Sequence, residues 1–232
     1  MEHLNRRIES YWDGRSEFLS KIRRIELDGV DGAAWKSLFK ENLPAGELKV
    51  LDVGTGAGFF AAILSSLGHK VIGVDMSSKM LSEAKKNLHE LKLSADFRKM
   101  NAQALEFDDE TFDAVVTRNL TWTLPDVKAA YREWRRVLKV GGVLMNFDSD
   151  YGDKNYFSCS RMKIGDEQLT ECQAIKNSLT ISTRRRPHWD AGFLEGLNFS
   201  VSFDENISHV VQRDKRCGYD SVPLFAIVGI RN

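Results

Sequence analysis

The chain has 232 residues, 42% hydrophobic and 28% charged, enough to bury a sizeable core in one decorated α/β domain. Lys plus Arg and Asp plus Glu both number 33, so no global field draws it to nucleic acid or an anionic membrane, and a small-molecule partner is expected. There is no signal-like apolar start and no run of about 18 apolar residues, and Cys159, Cys172 and Cys217 have neither a disulfide-framework nor a C-x-x-C spacing. This composition fits a soluble, cytoplasmic protein with packed thiols and no membrane insertion.

In chain order, "YWDGRSEFLSKIRRI" and "AAWKSLFKENL" read as two helices ahead of an alternating core. "LKVLDV", 48–53, is the first strand, and the helix opening at Phe59 and Phe60 stops before Gly68, a residue suited to a left-handed turn. "KVIGVD", 70–75, is the second strand. Ser77 caps the next helix, whose stripe is Met80, Leu81, Ala84, Leu88 and Leu91.

"ADFRKM", 95–100, is a weaker third strand and "FDAVVT", 112–117, the fourth. Thr123 with Asp126 three residues on makes a capping-box-like start for a helix striped by Val127, Ala130, Tyr131, Trp134, Val137 and Leu138. Gly141 and Gly142 turn the chain into "VLMNFD", 143–148, the fifth strand. The stretch "YGDKNYFSCSRMKIGDEQLT" loses the alternation and reads as an insertion or cap. A short helix over 189–197 and two strands, "FSVSF" and "PLFAIVGI", close the sheet, with Pro223 placed for a strand's first residue or an edge.

The expected architecture is a Rossmann-like, doubly wound, seven-stranded, mainly parallel sheet with helices on both faces. A helical N-terminal lid (1–45) precedes a cofactor-binding core (46–150), and a cap with the closing strands (151–232) follows, all in a single domain.

In "VLDVGTGAGFF", 50–60, glycines after a first parallel strand let the backbone approach a ligand at a helix N-terminus, where free N–H groups favour anionic or polar guests. Gly54, Gly56 and Gly58 are followed by Phe59 where the dinucleotide fingerprint G-x-G-x-x-G has its third glycine, which demotes NAD. Asp75 ends the second strand at the distance suited to two ribose hydroxyls, so an adenosine ligand is expected.

"VLDVGTGAG", "VIGVDMSSKML", "MNAQALEFDDETFDAVVTRNLTWTLPD" and "AAYREWRRVLKVGGVLMNFD" together resemble, in order and spacing, the class I S-adenosylmethionine-dependent methyltransferases of the small-molecule type related to the ubiquinone and menaquinone biosynthesis enzymes. The resemblance spans roughly residues 48–150. It implies S-adenosyl-L-methionine as cofactor and S-adenosyl-L-homocysteine as product. Gly54, Thr55, Gly56 and Gly58 would form the loop under the methionyl part, and Asp52 would help hold the amino group. Asp75 would take the ribose, and Met76 would pack on the adenine. The family's Gly-Asp-Ala reads Met100, Asn101, Ala102 here, so the Asn101 amide oxygen replaces the adenine-accepting aspartate, with Gln103 as a second candidate. Arg118 and Asn119 fall at the methionine end.

Methyl transfer is an in-line displacement on an activated electrophile, so holding the nucleophile close and dry matters more than a triad or metal. A base is needed only for a protonated acceptor. Candidates around the mouth are Arg118, Trp122, Asp148, Asp150 and Tyr151, with Tyr11, Trp12 and Arg15 contributed by the lid, and no catalytic residue is singled out. Arg184, Arg185 and Arg186 read as a solvated face in preference to an anion site. His3, His69, His89 and His209 lack metal-ligand spacing, so no metal is expected. Three other readings stand behind small-molecule methyl transfer: an RNA or protein methyltransferase, an NAD(P)-dependent oxidoreductase, and a non-catalytic S-adenosylmethionine-binding module. No nucleic acid partner is expected.

Overall fold

The computed structural model describes residues 2–159 and 165–232, the side chain of Cys159 excepted. Helices α1 (Glu2–Asp13), α2 (Ser16–Asp28) and α3 (Val30–Asn42) precede β1 (Lys49–Val53), α4 (Phe59–Ser66), β2 (Lys70–Asp75), α5 (Ser78–Glu90), β3 (Asp96–Lys99) and β4 (Phe112–Arg118). Then come α6 (Val127–Val137), β5 (Leu138–Ser149), α7 (Tyr156–Cys159), α8 (Asp166–Asn177), α9 (His188–Glu195), β6 (Phe199–Asp204), α10 (Ser208–Val211) and β7 (Leu224–Arg231).

The strands lie in the order β3-β2-β1-β4-β5-β7-β6. All neighbours are parallel except β7, which runs antiparallel to both β5 and β6. Order reverses between β1 and β4, where the chain leaves in opposite directions and a crevice opens beyond the carboxyl ends of the strands. The expected seven-stranded fold is present. Both faces of the sheet are covered by separate apolar clusters, as a parallel sheet requires.

Local signals explain most boundaries. Gly68, at φ +91°, ends α4 as expected, and the Ser77 hydroxyl accepts from Met80 N at the start of α5. At α6 the cap is Asp126, which accepts from Ala129 N at 2.9 Å, whereas Thr123 belongs to a 3-10 turn over Thr121–Thr123. The expected capping box therefore reduces to its acidic member. Gly141, at φ +76°, does not start β5 either, because the strand runs through it with a register irregularity against β4.

The N-terminal segment departs most from expectation. Three helices replace two, because the chain breaks at Gly14 and again at Gly29. Tyr11 and Trp12 thus close a first helix instead of starting one. Trp35, fully buried on α3, packs edge-on to Phe60 and Phe147 with centroids 4.9 and 4.8 Å away, so α3 is part of the main core. Cys172 and Cys217 are buried free thiols as expected, and the Cys159 side chain lies outside the described residues, as do residues 160–164 of the cap.

Because Trp35 joins four other aromatic rings and donates from Nε1 to Glu26, Trp35→Ala should cost about 3–5 kcal/mol of unfolding free energy by urea titration. A loss below about 1 kcal/mol would show that α3 is peripheral.

Candidate functional site

The glycine loop is shaped by the need to satisfy its own amides in a buried turn. Gly54 N and Thr55 N both donate to Val74 O of β2, at 2.8 and 3.0 Å, and Gly58 N donates to Thr55 O. Gly54, Gly56 and Gly58 all adopt positive φ, which glycine reaches without a Cβ penalty. A Cβ on Gly54 would stand 2.8 Å from the Leu120 side chain.

Gly58 behaves differently from the ligand-facing residue expected. It caps α4 and sits where a Cβ would meet Ala84 and Leu88 of α5 at 3.0–3.2 Å, away from the cavity lining. It serves close packing of α4 on α5, the task the third glycine performs in dinucleotide folds.

Two carboxylates hold the loop. Asp52 Oδ2, at the end of β1, accepts from Thr55 Oγ1 at 2.6 Å and Ala61 N at 3.1 Å. Burial pushes its carboxyl up to about 7. Asp75, at the end of β2, accepts from Gly56 N through Oδ2 and from Ser77 N through Oδ1, both at 2.9 Å, and burial pushes it up to about 6. Each oxygen of an ionised carboxylate has about two acceptor sites, so Asp75 retains capacity for a ligand's hydroxyls.

The N-terminal segment is fastened to this site. Asp13, ending α1, accepts from the Ser77 hydroxyl beside Asp75. From α2, Ser20 exchanges hydrogen bonds with Asn87 of α5, whose Nδ2 also donates to Ala57 O of the loop. Across the opening, Arg7 of α1 pairs with Glu171 of α8, so the N-terminal segment and the cap meet over the crevice.

Together these elements enclose a cavity of about 170 Å3. Of the expected residues it is lined by Asp52, Gly54, Thr55, Gly56, Asp75, Met76, Asn101, Ala102, Gln103, Arg118 and Asn119, and by Tyr11, Trp12, Arg15, Trp122 and Tyr151. At Asn101 and Gln103, expected to meet the adenine, the polar atoms are engaged differently from expectation. Asn101 Oδ1 accepts from Gln103 N and Nε2, while Gln103 Oε1 accepts from Asp126 N at 2.7 Å. Gln103 is thereby committed to the fold, and Asn101 keeps its Nδ2 donor, suited to a ring nitrogen.

At the far end the wall is aromatic. Trp122 lies 6.0 Å from Trp12, 5.1 Å from Tyr151 and 5.4 Å from Tyr156. Tyr151 donates to Asp220 Oδ2 at 2.9 Å. Burial pushes the Tyr11 and Tyr156 hydroxyls up, and the Cys172 thiol up to about 11, so these groups stay protonated near neutral pH.

Asp148 is not at the mouth. It is fully buried, accepting from Thr121 Oγ1, Trp122 N and Ser149 N. Asp150 lies outside this cavity and accepts from Gly152 N and Arg186 N. Arg186, read as part of a solvated face, is buried in a fork on Asp190 at 2.7 and 2.8 Å and donates to Thr121 Oγ1, while Arg184 and Arg185 are exposed. This network pins the 3-10 turn that carries Trp122.

The sequence reading missed Glu26, Arg23, Tyr156, Cys172 and Asp220. Arg23 and Glu26 stand one helical turn apart, a spacing that suits a surface pair as well as a buried one, so nothing local marks them.

Residues 51–146 match the family model described as a methyltransferase domain. Over those residues, from β1 into β5, the chain is similar to methyltransferase domains. It is 30% identical over 135 residues to the ubiquinone biosynthesis O-methyltransferase of Stutzerimonas stutzeri, covering 57% of this chain and 54% of that protein. It is 35% identical over 111 residues to a phosphatidylethanolamine N-methyltransferase of Cereibacter sphaeroides, covering 45% and 53%. The chain spans about half the length of these curated relatives. A crystal structure of a SAM dependent methyltransferase from Aquifex aeolicus shares the fold, with TM-score 0.62 and 21% identity over 94% of this chain and 97% of that one.

Asp52 and Asp75 give the site a signature in pH. Both have folded-state values raised above the ordinary 3.8, so their contribution to stability is present below about pH 4 and is lost as pH rises through about 6 to 7. The urea midpoint should therefore fall from pH 5 to pH 8 more in the wild type than in Asp52→Asn. An equal or larger fall in the variant would remove Asp52 as the cause.

Proposed function

We propose that the chain transfers a methyl group from S-adenosylmethionine to a small-molecule acceptor. One observation carries the reading: the glycine loop, the Asp75 carboxylate and an aromatic wall from the N-terminal segment, the turn after β4 and the cap line one partly open cavity. Bound cofactor supplies a methyl group already activated on a sulfonium.

The chain's residues have three tasks. Gly54 to Gly56 bring the backbone close to the methionyl part with no side chain in the way, and the Asp52 carboxylate faces the cofactor's amino group. Asp75 accepts from the ribose hydroxyls, and Met76 covers the adenine. Trp12, Trp122, Tyr151 and Tyr156 exclude water and orient the acceptor against the methyl carbon, which is most of what an in-line displacement asks of a protein.

In this reading the chain is a single domain in which α1 and α2 are a lid over the core of residues 46–150, α3 packs into that core instead of covering it, and residues 151–232 supply the cap and closing strands. Among the described residues no helix is long and apolar enough to cross a membrane.

Thermal unfolding in the presence of S-adenosylmethionine, S-adenosylhomocysteine, NAD(H) and NADP(H) tests the reading. At a hundred times its dissociation constant a ligand adds about 2.7 kcal/mol, a shift of several degrees. The two sulfur nucleotides should give that shift, and Asp75→Ala should abolish it while keeping the unliganded melt cooperative. A shift with the nicotinamides alone would overturn the proposal. Methyl gain by an acceptor, read by mass, separates an enzyme from a module that only binds.

A further inference from the structure

Charge at the aromatic end of the cavity is already engaged. The charged side chains described there, Arg15 and Asp220, are of opposite sign, and each has a partner. Arg15 Nη1 donates to the Tyr11 hydroxyl oxygen at 2.9 Å, and Asp220 Oδ2 accepts from the Tyr151 hydroxyl at 2.9 Å. Burial keeps the Tyr11 hydroxyl and the Cys172 thiol protonated near neutral pH, so these two groups add no charge. An ionic acceptor entering this end would lose hydration without a free countercharge to meet it, whereas a neutral one asks only for hydrogen bonds and apolar contact.

A neutral partner for such a molecule is in place on α1. Asn5 lines the cavity, partly buried, and its carboxamide makes no hydrogen bond within the protein among the described residues. The amide is within reach of a ligand, unlike the sealed hydroxyl of Tyr156. Asn5 precedes Trp12 by about two helical turns, so it shares the helix face that carries Ile8 and Trp12 to the aromatic wall. The Arg7 pair with Glu171 brings this half of α1 against α8, whose Leu169 also lines the cavity. An amide offers donors and an acceptor together, so it matches a hydroxyl, a carbonyl or another amide.

We propose that the methyl acceptor is an uncharged molecule with an apolar, ring-sized body, and that the Asn5 carboxamide hydrogen-bonds a hydroxyl, carbonyl or amide group on it. The inference rests on the methyltransferase reading above and names the substrate class of the same site. Asn5 then sets acceptor choice from the N-terminal helix, apart from the residues that hold the cofactor. The aromatic wall supplies contact area, and the amide supplies direction.

Ligand-observed NMR titrations of protein saturated with S-adenosylhomocysteine test this with three ring probes of one size: benzamide, benzoate and benzylammonium. Benzamide should bind roughly tenfold more tightly than either ion. Asn5→Leu should weaken benzamide roughly fivefold and leave S-adenosylhomocysteine within about twofold. Asn5→Asp, which removes the amide donors and adds a negative charge, should move the preference to benzylammonium. Either ion binding as tightly as benzamide, no binding of any probe, benzamide unaffected by Asn5→Leu, or a preference unmoved by Asn5→Asp overturns the proposal. Equal weakening of benzamide and S-adenosylhomocysteine overturns it too, because Asn5 would then serve the cofactor. All these results leave the methyltransferase reading standing. Wild-type protein that takes up no S-adenosylhomocysteine overturns that reading and this proposal with it.

Discussion

The architecture of the site depends on one constraint, the need to turn the chain sharply between β1 and α4 while every buried amide keeps a partner. The solution is to lash the turn to the neighbouring strand. Val74 O takes the amides of Gly54 and Thr55, and the Asp75 carboxylate takes that of Gly56. The turn is thus held by the residue that closes β2, so a ligand resting on the loop also meets Asp75. The placing of Asp75 against the loop follows from strand pairing, because β1 and β2 run parallel in register from Lys49↔Lys70 to Val53↔Val74.

Buried charge does a second share of the organising. Around Glu26, two arginines and an indole N–H converge from α2, α3 and β4. Around Asp148 and Asp190, Arg186 joins β5 and α9 to the turn that carries Trp122. Removing one member of such a network strands the others, which makes these clusters strong determinants of position even where their net contribution to stability is small. One cluster sits beside the glycine loop and the other behind the aromatic wall. The second acts from outside the cavity's lining, whereas Arg23 and Arg118 of the first are part of it.

The strands and the glycine loop were legible because their signals are local. Parallel strands buried on both faces read as apolar runs, and Gly54, Gly56 and Gly68 stand where positive φ is needed. The Ser77 cap and the Asp75 strand end were equally readable. Polar commitments were not. Gln103 reads as an adenine contact until Asp126 N claims its oxygen, and Asp148 reads as a mouth residue until Thr121 and Trp122 surround it. The same holds for Arg186, which shares its run with two exposed arginines.

By itself the sequence determined the order of the strands, the loop, and the residue that ends β2, because periodicity, turn residues and motif spacing are properties of neighbours along the chain. Only the tertiary structure decided that α3 belongs to the core, that Gly58 serves helix packing, and that Glu26 faces Arg118 across 92 positions of sequence. The physical reason is that a charged side chain's role depends on what desolvates it and what pairs with it. Those partners come from elements whose meeting is set by the closing of the whole sheet.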